Sequence, residues 1–252
     1  MKKHYFYPSK NKRTMKIVLL GYGKMGQEIE RVAIQRGHTI SLIIDINNQN
    51  EFTLQNLQKA DVAIDFSTPA SAVSNILTCF EAGIPVVCGT TGWNHDLERI
   101  KKICMEGNHA LFHASNFSIG VNILFAVNEH LAGIMNNFGQ YDVRMEETHH
   151  TQKLDAPSGT AITIAEQIIS RLDRKANWSL TDSGVSDNIP INAIREGDIR
   201  GIHEIVYESD VDFISLKHYT KSRVGLAFGA LLAAEYVENR KGVFTMRDLL
   251  GI

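Results

Sequence analysis

Lys16-Ile17-Val18-Leu19-Leu20-Gly21-Tyr22-Gly23-Lys24-Met25-Gly26 runs a short apolar segment straight into a glycine turn, and the apolar spacing over Met25–Arg36 predicts a helix after it. Strand, tight turn and helix in that order give the G-x-G-x-x-G spacing a physical reading. Gly21 makes the turn, Gly23 lets the backbone approach a pyrophosphate, and Gly26 lets the helix pack closely on the strand. The helix start offers unpaired N–H groups and a favourable dipole to phosphates. Asp45 ends the next apolar run 19 residues after Gly26, where an acidic side chain can accept hydrogen bonds from an adenosine ribose. The expected ligand is therefore a dinucleotide, the blander reading being a glycine turn kept only for packing. Asp45 repels a 2′-phosphate and Asp45-Ile46-Asn47-Asn48 contains no arginine, which favours NADH over NADPH. Lys24 in the glycine loop offsets part of that repulsion.

Outward from this point, short apolar runs alternate with amphipathic ones. Strands are predicted at Lys16–Leu20, Thr39–Ile44, Val62–Phe66, Pro85–Cys88 and Ala110–Phe112, with helices at Met25–Arg36, Ala70–Glu81 and Asp96–Met105. Val- and Ile-rich strands joined by helical crossovers imply an α/β fold, a Rossmann-type doubly wound parallel sheet covered on both faces. Ligands of such sheets bind beyond the strand ends. There the chain places Ser67-Thr68-Pro69, Gly89-Thr90-Thr91-Gly92 and Ser115-Asn116-Phe117-Ser118, small and hydroxylic loops suited to a nicotinamide and its ribose. Each alone is also an ordinary turn.

After Ser118 the pattern changes. Val121–Met135 reads as a long helix with Leu124, Val127, Leu131 and Ile134 at helical spacing, Val143–Glu147 as a strand, and Ser158–Arg171 as a helix. A polar stretch, Ala176–Asn188, precedes two successive strands, Ile202–Glu208 and Asp212–His218, whose order suggests antiparallel pairing in an α+β domain. An Ala- and Leu-rich helix, Val224–Val237, is expected to return to the first domain. The expected division is a dinucleotide-binding domain of residues 15–118 plus 224–252, a substrate-binding and oligomerisation domain of 119–223, and a disordered leader of 1–14.

Hydrophobic residues make up 44% of the 252, charged residues 21%, and the formal net charge is -2, which argues for a soluble chain without a nucleic-acid or membrane partner. Cys79, Cys88 and Cys104 lack ligand spacing and read as buried thiols of a reducing compartment. No apolar run approaches the roughly 20 residues a membrane span needs. The basic, aromatic start (Lys2, Lys3, Tyr5, Phe6, Tyr7) lacks the apolar region of a secretory signal, so cytoplasm is the expected location.

The densest chemistry lies in Glu147-Thr148-His149-His150-Thr151-Gln152-Lys153-Leu154-Asp155-Ala156-Pro157-Ser158-Gly159-Thr160-Ala161. Two histidines and a lysine follow a strand end, and Pro157 breaks the chain before a helix that opens Ser-Gly-Thr. Ser158, Gly159 and Thr160 offer an N-cap hydroxyl and helix-start N–H groups to a carboxylate. His149 and His150 can transfer protons near neutral pH, and Lys153 supplies a cation. The blander alternative is a solvated loop with Asp155 or Ser158 as a helix cap. Two histidines without a third ligand make a poor zinc site, so no metal is expected. His203 and His218 read as structural, Trp93 and Trp178 as packing.

This run resembles the E-x-H-H-x-x-K-x-D-A-P-S-G-T-A motif of the dihydrodipicolinate reductases. Gly23-Lys24-Met25-Gly26, Asp65-Phe66-Ser67-Thr68-Pro69, Gly89-Thr90-Thr91-Gly92, Asn116–Asn122, Arg195-Glu196-Gly197-Asp198 and Gly201-Ile202-His203 are similar to the family in the same order. The resemblance implies reduction of 4-hydroxy-tetrahydrodipicolinate to tetrahydrodipicolinate by NAD(P)H, in the diaminopimelate route of lysine biosynthesis. By position it implies His149 as general acid with Lys153 beside it, His150 and the Ser158–Thr160 turn as binders of a small dicarboxylate, and a homotetramer assembled through the second-domain sheet. Arg223 falls where the family has a late cofactor-side arginine, but Lys221 and Phe228 depart from the pattern around it. Two rivals explain less. Another two-domain dehydrogenase of amino-acid metabolism accounts for the glycine turn but not for His149–Ala161, and a nucleotide-sensing regulator has no use for His149 and Lys153.

Overall fold

The computed structural model describes residues 13–181 and 184–252. The leader expectation lies outside the described residues except at Arg13 and Thr14, and Arg13 donates to Asp61 Oδ1 at 3.1 Å. The chain divides into two compact units, one ending at Ile119 and resuming over Val224–Ile252, the other Gly120–Arg223.

The first unit begins with β1 (Lys16–Leu20), α1 (Lys24–Gln35), β2 (Thr39–Ile44), a short α2 (Leu54–Leu57), β3 (Val62–Asp65), α3 (Pro69–Glu81), β4 (Val86–Cys88), α4 (Leu97–Glu106) and β5 (Ala110–His113). Period-two alternation sends successive strand residues to opposite faces, and here both faces are apolar. Ile17, Leu19, Val62, Ile64, Val87 and Phe112 enter one core with Ile29, Val32 and Ala33 of α1. Val18, Leu20, Ala63, Val86, Cys88 and Leu111 enter the other with Ala72, Ile76 and Cys79 of α3 and Ile100 and Cys104 of α4. The three cysteines are free and buried in this second core.

The second unit opens with α5 (Ile119–Met135), followed by β6 (Asp142–His149), α6 (Gly159–Ile169), β7 (Asn177–Ser179), β8 (Asn188–Arg195), β9 (Ile202–Glu208) and β10 (Phe213–Tyr219). Its sheet has the order β10-β9-β6-β8-β7 and is mixed. β9 and β10 pair antiparallel as expected, whereas β8 pairs parallel with both β6 and β7, through a crossover containing α6. The sequence expectation omits β7 and β8 of this sheet, and in β8 Pro190 interrupts the apolar pattern. The structure accommodates this residue because pairing with β6 starts only at Ile191. The face of α5 also differs from expectation. Val121, Leu124, Asn128, Ala132 and Met135 are buried, while Val127 and Ile134 are exposed.

The chain then returns to the first unit with α7 (Val224–Val237), β11 (Gly242–Phe244) and α8 (Met246–Leu250). β11 adds a sixth parallel strand, giving the order β11-β5-β4-β3-β1-β2. Ala227, Ala230, Leu231, Ala233 and Ala234 of α7 join the core that holds α1. They come this close because Gly229 has no side chain: a Cβ there would lie 1.7 Å from the Phe117 carbonyl oxygen.

The strand order reverses between β1 and β3, so the ends of these two strands form the crevice where an open α/β sheet binds its ligand. The fold is thus a Rossmann-type doubly wound sheet with a second α+β unit.

Candidate active site

At the crevice of the first unit the glycine turn is pressed against its neighbours. Gly21 has φ +91°, and a Cβ on it would meet the Phe66 carbonyl oxygen at 2.4 Å. A Cβ on Gly89 would overlap the Phe66 ring. The Gly21 N–H donates to Ile44 O at 2.8 Å, which ties the turn to the end of β2 and to Asp45. Asp45 accepts the Asn47 N–H at 2.7 Å through Oδ1.

α1 begins at Gly23 without a side-chain cap, and a Cβ on Gly23 would touch nothing within 4 Å. The helix start therefore faces open space, as an anion-binding start must. Gly23, Lys24, Met25, Ser67, Thr90 and Thr91 line one cleft of about 410 Å³. Gly26 is buried beneath it, and a Cβ there would strike Gly21 O. Thr68 caps α3. These residues fit a dinucleotide: a bare turn, an open helix start and hydroxyls around one cleft.

Beneath the cleft lies Asp65, fully buried and absent from the sequence-based candidates. Its Oδ1 accepts the Ser67 N–H at 2.9 Å and the Thr90 hydroxyl at 3.1 Å, which fastens two of the expected cofactor loops to each other. Burial raises its carboxyl above the ordinary range, against the opposing hydrogen bonds from Ser67, Thr90 and Asn75. Trp93, also buried, donates to Thr90 O at 2.8 Å and steadies the same loop. Phe117 is a core residue whose ring packs 5.6 Å from that of Phe66, so only its backbone can serve a cofactor. Ser115 is exposed, and Asn116 Oδ1 accepts the Ser118 N–H at 2.8 Å. Arg223 is exposed and is the last residue of the second unit.

In the second unit β6 delivers the chemistry. Alternation puts Val143, Met145, Glu147 and His149 on its buried face, the first two in the core shared with α6. Glu147 lies opposite His203 of β9, and His149 opposite Arg195 of β8. Beyond β6, His150 is half-buried and its carbonyl accepts the Lys153 N–H at 3.1 Å. Lys153 Nζ donates to both Asp155 oxygens at 2.7 and 2.8 Å. Ser158 then caps α6, its hydroxyl accepting the Ala161 N–H at 3.2 Å.

Ser158 is only 3% exposed. Its N–H donates to both Glu147 oxygens, and its hydroxyl lies 3.2 Å from His203 Nε2. Its polar groups are thus engaged inside the protein, whereas Gly159 is exposed and Thr160 half-buried at the helix start. Around these, His149 and His203 meet edge to face with ring centres 5.1 Å apart. Burial holds His203 down to about 4 and also lowers His149, for which Glu147 is the opposing, proton-favouring influence. Burial alone would raise the Glu147 carboxyl, but the Ser158 and Arg195 hydrogen bonds bring it below the usual range.

Glu147, His149 and His203 could together present three ligand atoms to a metal ion. Yet Arg195 Nη2 already donates to Glu147 Oε1 at 2.9 Å and supplies the countercharge a cation would bring. The donor set fits a proton-handling anion site better than a metal centre.

The structure brings His149 and Ser158 of the expected segment together with partners that strand register supplies and the sequence pattern does not show. His203, expected to be structural, touches Ser158 and His149. Arg195 reaches the site from β8, a strand whose pattern was not recognised. Glu147 had a signal of its own, since it shares a strand face with His149 two residues on.

Comparison with known proteins gives a consistent result. Residues 15–117 match the family model for the dihydrodipicolinate reductase N-terminus, and residues 120–250 that for its C-terminus. A 4-hydroxy-tetrahydrodipicolinate reductase of Christiangramia forsetii is 48% identical over 236 residues, 94% of this chain and 98% of that protein. One from Akkermansia muciniphila is 34% identical over 91% of this chain and 95% of the relative. Among solved structures, dipicolinate-bound dihydrodipicolinate reductase from a Paenisporosarcina species shares the fold, with a TM-score of 0.77 at 22% identity over 92% of this chain and 98% of that one.

Proposed function

The chain belongs to the dihydrodipicolinate reductase family, and from that premise we propose which of its residues carry the reaction and how. It is a nicotinamide-dependent oxidoreductase that reduces 4-hydroxy-tetrahydrodipicolinate to tetrahydrodipicolinate in the diaminopimelate route of lysine biosynthesis. The observation that carries the residue assignment is the buried juxtaposition of His149, Glu147, Arg195 and the start of α6.

In this proposal the first unit holds the dinucleotide. Gly21, Gly23, Lys24, Met25 and Gly26 receive the pyrophosphate, Asp45 the adenosine ribose, and Ser67, Thr68, Gly89, Thr90, Thr91 and the Ser115-Asn116-Phe117 backbone the nicotinamide side, with Arg223 as a further contact. When bound, the nicotinamide supplies the hydride. Asp45 favours NADH, because a ribose 2′-phosphate would bring two negative groups together while a ribose hydroxyl can donate to it.

The second unit binds the substrate. Gly159 and Thr160 at the start of α6 receive one carboxylate, with Ser158 holding the turn. Lys153 exchanges Asp155 for the substrate, and His150 adds a donor. After the substrate hydroxyl leaves as water and C4 is reduced, His149 protonates the enamine that remains. No step calls on a metal.

We assign the protein to the cytoplasm, a reading supported by its three free buried thiols. No described helix is long and apolar enough to cross a membrane. Assembly as a homotetramer through the second sheet is supported by exposed Phe213 and Tyr219 on its edge strand β10, and light scattering checks it.

The testing experiment follows NADH absorbance while a dihydrodipicolinate synthase makes substrate in place from pyruvate and aspartate semialdehyde, with NADPH in parallel. Oxidation that depends on the synthase, faster with NADH, is expected. His149→Gln should lose at least about 100-fold in kcat while binding NADH normally, as general acids contribute on that scale. Unchanged turnover in this variant would remove His149 from the reaction.

A further inference from the structure

Glu147 has no exposed surface, and its carboxylate meets three different parts of the second unit. Both oxygens accept the Ser158 N–H at 3.1 Å, which holds the start of α6. Oε1 accepts from Arg195 Nη2 at 2.9 Å, and the same Nη2 donates to Asp155 O at 2.6 Å, in the loop that carries Lys153. Oε2 lies 3.6 Å from His149 Nδ1, a ring nitrogen with no hydrogen-bond partner among the described residues. One carboxylate thus stands behind the expected proton donor, the expected carboxylate cradle and the expected substrate lysine.

We propose that Glu147 is the positioning residue of this site, orienting and charge-balancing His149 while fixing the α6 start that receives the substrate carboxylate. The proposal rests on the assignment of His149 as general acid and adds a residue that touches neither substrate nor cofactor.

Charges on every element around His149 act on its ring. Burial disfavours its protonated form most, followed by Lys153 from the loop after β6 and Arg195 from β8. Glu147 on β6 and Asp155 in the loop favour it. His203 from β9 packs edge to face on the ring and is held neutral by burial near neutral pH. Glu147 is the larger of the two favourable influences and the buried one. A site that must bind a dianion needs cations, and those cations work against a protonated histidine. A buried carboxylate behind the ring resolves that conflict, since an opposite charge within about 4–6 Å favours the charged form by about 1–3 pH units. At 3.6 Å the contact is longer than a hydrogen bond, so Glu147 acts on the ring through charge and favours the conformer that keeps a protonated Nδ1 toward it.

The test is the pH profile of kcat for the wild type, Glu147→Gln, Glu147→Ala and His149→Gln, with melting temperature and NADH affinity as checks of folding. A general acid works while protonated, so wild-type kcat falls on the alkaline side. Glu147→Gln keeps an acceptor for the Ser158 N–H but removes the charge. It should move that limb to lower pH by about one unit or more with KM little changed. Glu147→Ala also releases Ser158 and should raise KM for the dicarboxylate about tenfold or more. A Glu147→Gln enzyme that folds and binds NADH normally but keeps the wild-type limb overturns the proposal, because a purely structural carboxylate would leave it there. A limb that persists in His149→Gln instead overturns the general-acid assignment, and the proposal with it, by a result that the Glu147 variants alone would not give.

Discussion

Replacing Gly229 with alanine asks whether the close seat of α7 on the nucleotide unit is required. The added Cβ would lie 1.7 Å from Phe117 O and 2.9 Å from its carbonyl carbon, both backbone atoms that no side-chain rotation can clear. An ordinary contact needs at least about 3.4 Å, so the helix or the Phe117 peptide must shift by roughly 1.7 Å, a gap that forfeits much of the dispersion attraction along the contact. The residues that lose it are Ala227, Ala230, Leu231, Ala233 and Ala234, all fully buried. Overpacking of a well-filled core costs about 1–3 kcal/mol, and the backbone clash points to the upper end. For a chain of this size that is a fall of about 6–12 °C in melting temperature.

Phe117 also lies in a proposed cofactor loop, so NADH affinity should weaken about tenfold, some 1.4 kcal/mol. Gly225 is the internal control. It occupies the same helix, but a Cβ there would meet nothing within 4 Å. Gly225→Ala should leave stability unchanged or raise it by up to about 1 kcal/mol through helix propensity. Differential scanning calorimetry with NADH titration measures both effects. A Gly229→Ala protein that melts with the wild type would refute the claim that this glycine sets the helix position.

Three further outcomes are expected. Asp45→Ala should raise NADPH efficiency relative to NADH by roughly tenfold, about 1.4 kcal/mol; an unchanged ratio of kcat/KM values would place cofactor choice elsewhere. Asp65→Ala should weaken NADH binding about tenfold in fluorescence titrations, since it removes the acceptor shared by the Ser67 N–H and the Thr90 hydroxyl and leaves the Ser67 N–H to Thr90 Oγ1 bond to hold the loops; native affinity would show that this direct bond is enough. Acid should unfold the protein through His113 and His203, both held down to about 4 by burial. The unfolded chain protonates them near pH 6.5 and the folded one near 4, so the stability they contribute is complete above about 6.5 and lost as pH falls through 4. The slope is up to about 1.4 kcal/mol per pH unit for each histidine. A denaturation midpoint flat across that window would contradict it.

The nucleotide unit was legible in the sequence because its signals are local. Lys16–Gly26 carries strand, turn and helix within a dozen residues, and the Val- and Ile-rich runs of β1 to β5 are apolar on both faces, as parallel strands under two helical layers must be. The family motif over His149–Ala161 was legible for the same reason, with two histidines, a lysine and a helix start contiguous in the chain. What failed was local evidence that pointed elsewhere. Pro190 masked β8, and Val127 and Ile134 suggested an apolar face of α5 that tertiary packing assigned to Asn128 and Ala132 instead.

Other features belong to register and depth, which composition does not encode. His203 becomes part of the site because β9 pairs with β6 so that it faces Glu147, and Arg195 because parallel pairing of β8 sets it beside His149. The closeness of α7 depends on a glycine whose neighbour, Phe117, is 112 residues away in the chain. The sequence by itself determined the fold class and the family, through motifs written in residues near one another. Only the tertiary structure decided which buried carboxylates stand behind them, because a charge removed from water acts on whatever the fold sets within a few ångströms of it, however distant in sequence.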